Sequence, residues 1–452
     1  MRRLNYSIHE FSPAADPALA MLALHAAHPA RYPILLDSAA AGAPLGRFSL
    51  LLAAPGERLR LDATRRLEGP GTGGTFCERL NTWWREECAA PPTAPWPFAG
   101  GWFLFLGYEL AGEIEPTLRL PPAPMPLVAL AWRVRAAWIH DHASGRSAIL
   151  AEPGCEPAMR QMLADIADPP ALAAIDPPAG PIDEDDPARY LQACRQALEH
   201  IAAGDVYQAN VARAWRTRLP AGTSAASLYA RLRAANPGAF AGIAQLDEVA
   251  VLSSSPERLV RVHGRDIDTR PIAGTRPRDP GSDRRSIGEL TGSAKERAEH
   301  VMLIDLERND LGRICEAGTV RVDEFMVVES YAHVHHIVSN VCGRLRPEIA
   351  PGDVIRALFP GGTITGCPKV RCMQLIGDLE GVGRGAYTGA MGYLALDGSL
   401  DLNILIRTMT LQDGALEWRA GAGIVADSLP ERELDETRAK ARGLLRSLGS
   451  AG

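Results

Sequence analysis

Between Val206 and Ala426 the chain presents one short alternating stretch after another, and each of them needs a sheet partner. They are VYQANVARAW, FAGIAQL, VAVLSSS, RLVRVHG, TVRVDEF, HHIVSNVCGRL, GAMGYLALDG, LNILIRTMTL and ALEWRAGAGIVA. Alternation with period two turns one face of each strand towards a core. Earlier segments read the same way: YPILLDS, RFSLLLAAP, GGWFLFLGYEL and VALAWRVRAAWIHDH. The last is one strand of a hairpin running to Asp141, with His142 to Gly145 as its turn. Helices fall singly between the strands. Hairpin succession with interspersed helices predicts α+β with antiparallel sheets, not a doubly wound parallel sheet.

The helical segments are ARYLQACRQALEHIAAG, closed by Gly204 as the C′ residue, the segment through Glu296, DVIRALF, one after Pro368, and the C-terminal helix. For that last helix Ser428 and Glu431 fit a capping box, with Pro430 in the first turn. Its apolar stripe, Leu434, Ala441, Leu445 and Leu448, leaves Glu433 and Glu436 on a neighbouring face. At 452 residues the chain is long enough for two domains or one large composite. The expected organisation is a strand-rich region 1–150, a Pro-rich linker or surface excursion 151–187, and a region 188–452 that carries the chemistry.

Lys and Arg number 48 against 54 Asp and Glu, a net charge of −6, which argues against nucleic acid or an acidic membrane as the main partner. No apolar run approaches the roughly 18 residues of a membrane helix, and MRRLNYSIHEF lacks the apolar stretch of a signal peptide. The eight cysteines show no framework spacing, so free thiols in a reducing cytoplasm are expected.

Two acidic pairs stand out, Glu296 with Glu299 and Glu433 with Glu436. Positions three apart share a helix face, and two such patches brought together make an all-oxygen site suited to Mg2+. Taken singly, each pair also fits an ordinary solvated face. Arg407 and Lys369 suit an anionic small molecule; Arg407 could clamp a carboxylate or simply be salt-bridged. The turn in Arg270 to Arg278 (RPIAGTRPR) exposes backbone N–H groups and the Thr275 hydroxyl, as an anion site or as a basic surface loop. Among His333, His335 and His336 a strand sends the third to the opposite face, so one pocket-facing His is expected rather than a ligand set. Tyr393, Arg407 and an AGAG turn at Ala420 to Gly423 fall on adjacent strands. GGTITG lacks the Lys and Ser or Thr of a P-loop, and Gly421-x-Gly423-x-x-Ala426 lacks a βαβ unit, so neither nucleotide motif holds.

Read together, the segments GDVYQANVARAW, SSSPERL, RPIAGTRPR, AEHVMLIDLERNDLGR, VHHIVSN, PGGTITGCPKVRCMQLI, GYLALDG, ILIRTMT and AGAGIVADS resemble, in order, the chorismate-utilising enzymes. These are component I of aminodeoxychorismate synthase and of anthranilate synthase and, more distantly, isochorismate and salicylate synthases. The resemblance is strong from Ala188 to Leu445 and weaker over residues 30–110. It implies antiparallel sheets forming a sandwich core flanked by helices. It implies Glu299 and Glu436 as direct Mg2+ ligands, with Glu296 and Glu433 acting through water. Glu257 resembles the general acid for the departing C4 hydroxyl, and His336 the pocket histidine. Tyr393, Arg407, Gly421 and Gly423 resemble the residues around the enolpyruvyl carboxylate. Gly274, Thr275 and Thr363 resemble further substrate contacts, and Lys440 is expected close to the carboxylates.

Within the family, the water-adding members carry a lysine base where this chain has Gln208. The resemblance therefore implies ammonia as nucleophile, supplied by a separate glutamine amidotransferase subunit. Asn210 and the double His of VHHIVSN resemble aminodeoxychorismate synthase component I. Ala273 is the anthranilate pattern and stands where some aminodeoxychorismate synthases carry a lysine, so anthranilate synthase component I is the alternative. Leu35 to Ser38, with Asn236 and Pro237, resembles a tryptophan pocket of related chains; a buried strand with its turn fits equally, and an amino-acid sensor that lacks catalysis is a third reading.

Overall fold

The computed structural model describes the whole chain except residues 1, 14–15, 41–44, 174–179, 279–282, 293, 331–333 and 450–452. Within its helices and strands the side chains of 275–277, 284–286, 289, 291, 294–295 and 334 are likewise outside the description. Every named strand pairing among the described residues is antiparallel, as the hairpin succession requires. The sheet grows in two arms from one long ribbon, Phe48–Asp62 paired with Leu127–Asp141. That second strand returns through the turn at 142–145 into Arg146–Ala151, with Asp141 opposite Arg146 as the sequence predicts.

One arm runs from Ile34–Asp37 through Phe240–Leu246, Val249–Ser255, Thr408–Gln412 and Ala415–Ile424 to Gln208–Arg218. The other runs from Gly101–Leu106 through Ala390–Ala395, Leu400–Asn403, Arg258–His263 and Asp266–Thr269 to Val334–Arg344. Phe103, Phe105 and Met391 of one arm meet Ile34, Ala244 and Val251 of the other in a shared core. Helices cover both outer faces. Phe76–Glu87, Ala294–Gly312 and Pro351–Leu358 pack on one through Leu80, Ile304 and Ile355. Pro17–Ala27, Ala225–Ala235 and Pro430–Ser447 pack on the other through Leu22, Leu228 and Leu444. The result is the expected α+β sandwich flanked by helices, built on buried apolar faces that alternate along each strand.

Two short links carry the chain directly from a strand of one arm to a strand of the other. Ser255 to Arg258 is one crossing, and Asn403 to Thr408 is the other. The two lie against each other: the Ile404 amide donates to the Glu257 carbonyl at 3.0 Å and the Ser254 amide to the Arg407 carbonyl at 3.1 Å. LNILIRTMTL, read as one strand, is thus two strands with a break. The break releases Arg407 from the sheet at φ +51°.

Other local expectations change as well. Residues 420–423 lie inside the strand Ala415–Ile424, not in a turn, with Gly421 opposite Ala212 and Gly423 opposite Asn210. The C-terminal helix has Leu429 at its N-cap and no side-chain cap; the Ser428 hydroxyl instead accepts from the Val425 amide at 3.1 Å, closing the preceding turn. Between 151 and 187 the chain forms the helix Glu156–Ala167, which buries Met162 in the core, and a two-residue strand at Asp183–Glu184 against Trp215 and Arg216. Among the described residues no helix is long and apolar enough to cross a membrane, and the eight cysteines are free.

Candidate active site

A cavity of about 1030 Å³ opens beside the two crossings. One helix, Ala294–Gly312, contributes Glu296, Glu299 and Leu303 to its wall, and the C-terminal helix contributes Glu433, Glu436 and Lys440. The four distant carboxylates therefore do face one space. Glu433 is buried, whereas Glu436 is open to the cavity and pairs with Lys440 at 2.8 Å. Lys440 also donates to the Gly421 carbonyl at 2.9 Å. Among the described residues no three acidic, His or Cys side chains form a ready-made metal cluster. The donors are nonetheless the kind Mg2+ takes, since that ion binds one or two carboxylates and leaves its other positions to water and substrate.

Glu257 stands at the first crossing with its carboxyl in the wall. The Thr363 hydroxyl donates to Oε1 at 2.8 Å, and the Ile272 amide donates as well. Burial dominates and pushes the Glu257 pKa up to about 7, although Thr363, Ile272, Lys440 and Arg407 all pull it down. Near neutrality this carboxyl holds a proton it can give away. Arg407 lines the cavity from the second crossing, and burial draws its pKa downward. Among the described residues its guanidinium has no ion-pair partner, which favours the carboxylate clamp over the salt bridge. A non-glycine residue in the left-handed region costs on the order of 1 kcal/mol or more, and such strain concentrates at functional sites.

His336 is on the cavity wall, and burial lowers its pKa to about 3, so it is neutral. His335 points the other way, to Ser330 at 2.8 Å and Asp283 at 3.2 Å; His333 lies outside the described residues. The strand places Thr275 opposite His336 by backbone pairing, and its side chain is outside the description. Gly274 precedes it at φ +70°, where a Cβ would stand 2.8 Å from Glu296 Oε2. Only glycine fits both that backbone and that approach.

The strand Gln208–Arg218 turns Gln208 and Asn210 inward on the same face. Gln208 Nε2 donates to Glu299 Oε1 at 2.9 Å. Its Oε1, and Asn210 Oδ1, are buried acceptors without a partner among the described residues. Gly421 and Gly423 complete this wall.

Three expectations move. Tyr393 does not line the cavity; it packs edge-on against Phe98 at 5.5 Å, near Arg258 and Asp401. Tyr387 lines it instead, with its hydroxyl against Gly421. Choosing the tyrosine by strand adjacency missed it, because Tyr387 sits in the turn before the strand. Lys369 is ion-paired with Asp310 and is not part of the wall, since the start of its helix packs behind the cavity. Ser38 is buried away from the wall, donating to the Phe48 carbonyl at 2.8 Å. Beside it Asp37 is held by Tyr229 at 3.0 Å and Arg233 at 2.7 Å. Asn236 and Pro237 line the main cavity, and Asn236 also donates to the Ser254 hydroxyl at 2.8 Å.

A buried carboxyl with a raised pKa, a guanidinium with no ion-pair partner among the described residues and four further carboxylates around one cavity suit a small anionic substrate. A family model described as chorismate binding enzyme matches residues 34–446, and the chain belongs to that family of chorismate-utilising enzymes. It is 42% identical over 358 residues to an anthranilate synthase component I-like protein of Synechocystis sp., covering 78% of this chain and 73% of that one. It is 37% identical over 454 residues to an aminodeoxychorismate synthase of Streptomyces griseus, covering 93% of this chain but 61% of that longer protein. The solved structure of anthranilate synthase component I from Streptococcus pneumoniae TIGR4 superposes with a TM-score of 0.79 at 29% identity, covering 88% of this chain and 91% of that one.

Proposed function

We propose that this chain is component I of an aminodeoxychorismate synthase, converting chorismate and ammonia to 4-amino-4-deoxychorismate and water. A glutamine amidotransferase subunit supplies the ammonia, and Mg2+ is the cofactor. The observation that carries the choice of nucleophile is Gln208. Water must lose a proton to attack, and a neutral amide already tied to Glu299 cannot take it. Ammonia needs no such base, and its N–H groups satisfy the open acceptors on Gln208 and Asn210.

Glu299, Glu436, Glu296 and Glu433 are the residues to hold Mg2+. Bound there, Mg2+ would supply positive charge to offset the negative charge of the ring carboxylate and of electron density developing in the ring. The chain's own residues do the rest. Arg407, with Tyr387, Gly421 and Gly423 beside it, holds the enolpyruvyl carboxylate. Glu257 gives its proton to the C4 hydroxyl, which leaves as water, and recovers one from the attacking nitrogen once the C4–N bond has formed.

Ala273 favours a second reading, anthranilate synthase component I. It lines the cavity wall on the strand Ile272–Pro277 and offers no amine for addition at C2. The names of two similar proteins support the same alternative. Purified chain with chorismate, Mg2+ and an ammonium salt separates the two. A product that a lyase converts to 4-aminobenzoate is expected; anthranilate fluorescence with pyruvate release selects the second reading.

A further inference from the structure

We propose that Glu307 is a positioning residue for Glu257, clamping from behind the two chain segments that hold the Glu257 carboxyl; this rests on the role given to Glu257 above. The donors to Glu257 come from separate parts of the fold. Ile272 follows the strand Asp266–Thr269, and Thr363 sits in the single helical turn Gly362–Ile364. Glu307 is 4% exposed and accepts from the Thr269 hydroxyl and the Gly362 amide. These are three residues before one donor and one residue before the other. A second buried carboxylate thus ties together the same two segments.

Glu307 continues the helix stripe that carries Glu296, Glu299 and Leu303, but at roughly 12 Å beyond Glu299 along the axis it has left the cavity wall. The fit there is tight. A Cβ on Gly362 would stand 2.5 Å from Leu306 Cδ2 and 3.0 Å from Glu307 Oε1. One turn further on, Asp310 pairs with Lys369, whose Nζ also donates to the Leu358 carbonyl at 3.2 Å. Burial and the Asp310 charge both push the Glu307 pKa upward. Burying two neighbouring carboxyl groups is a poor way to gain stability, because apolar residues of like volume usually do as well. What Glu307 adds is a fixed spacing between Thr269 and Gly362.

The test compares E307Q with D310N in the full chain, because Asp310 shares the buried cluster without holding either donor segment. E307Q is expected to lower kcat about 10- to 100-fold with KM within about threefold, the size of effect a slightly misplaced group produces. D310N is expected to lower the Tm at least as much while keeping kcat within about threefold. The double variant E257Q/E307Q is expected to be no slower than E257Q alone, since the effect travels through Glu257. An E307Q enzyme with normal kcat, a D310N enzyme with the same kinetic defect, or losses that multiply in the double variant would each overturn the proposal. Titration of the 13C-labelled Glu257 carboxyl, assigned with E257Q, reads the coupling without turnover. Loosening its two donors raises its pKa in E307Q, and an unchanged value again overturns the proposal. Wild-type chain that leaves chorismate untouched sinks the assigned reaction instead, and this titration still decides the role of Glu307.

Discussion

Glu257 shows how one carboxyl is made useful at the expense of stability. Its folded pKa of about 7 lies above the ordinary 4.5, so the folded chain binds this proton more tightly than the unfolded one. Stability therefore falls as pH rises from about 4.5 through about 7, by on the order of 3 kcal/mol in all. With Glu257 as the proton donor proposed above, kcat/KM at constant free ammonia is expected to drop about tenfold per pH unit above 7. E257Q is expected to lose roughly 10²- to 10⁴-fold in kcat, yet to resist denaturant better than wild type at pH 8. A flat pH profile, or an E257Q enzyme less stable than wild type there, contradicts this description. At this scale the sequence was partly legible. The acidic pairs are visible as helix spacing, and Glu257 stands out only through the resemblance of SSSPERL. Tyr387 and Glu307 were not legible. One sits in a turn with no period, and the other is one of many acids on a mixed helix whose meaning depends on what packs against it.

At the scale of elements, the strands were readable because alternation survives in each of them, and the helices because their apolar stripes do. The break in LNILIRTMTL was not, since Ile404 to Ile406 are as apolar as a strand interior and only the crossing between arms takes them out of register. Two strand glycines show how differently the elements tolerate change. A Cβ on Gly392 would overlap the Asp401 carbonyl of the neighbouring backbone, whereas one on Gly423 would overlap the movable end of the Gln208 side chain. G392A is expected to cost about 3 kcal/mol or more in chemical denaturation. G423A is expected to unfold within about 1 kcal/mol of wild type while losing activity, because Gln208 is pushed off Glu299. Equal destabilisation of the two variants contradicts the assigned roles.

For the whole molecule, the strands before residue 150 and those after 188 interleave in both arms, with Gly101–Leu106 beside Ala390–Ala395 and Ile34–Asp37 beside Phe240–Leu246. Length and Pro-rich segments do not reveal such interleaving, because strand order is set by long-range pairing. The same long-range pairing brings the Glu299 and Glu436 helices, one from each outer layer of the sandwich, to a common cavity. Calorimetric titration of chorismate in the presence and absence of Mg2+ tests that convergence most directly. Mg2+-dependent binding is expected for wild type and for E431Q, whose exposed carboxylate lies on the same helix, with at least about tenfold weaker binding for E299Q and E436Q. Chorismate binding that ignores Mg2+, or that is unchanged in E299Q and E436Q, would contradict a metal held between the two helices.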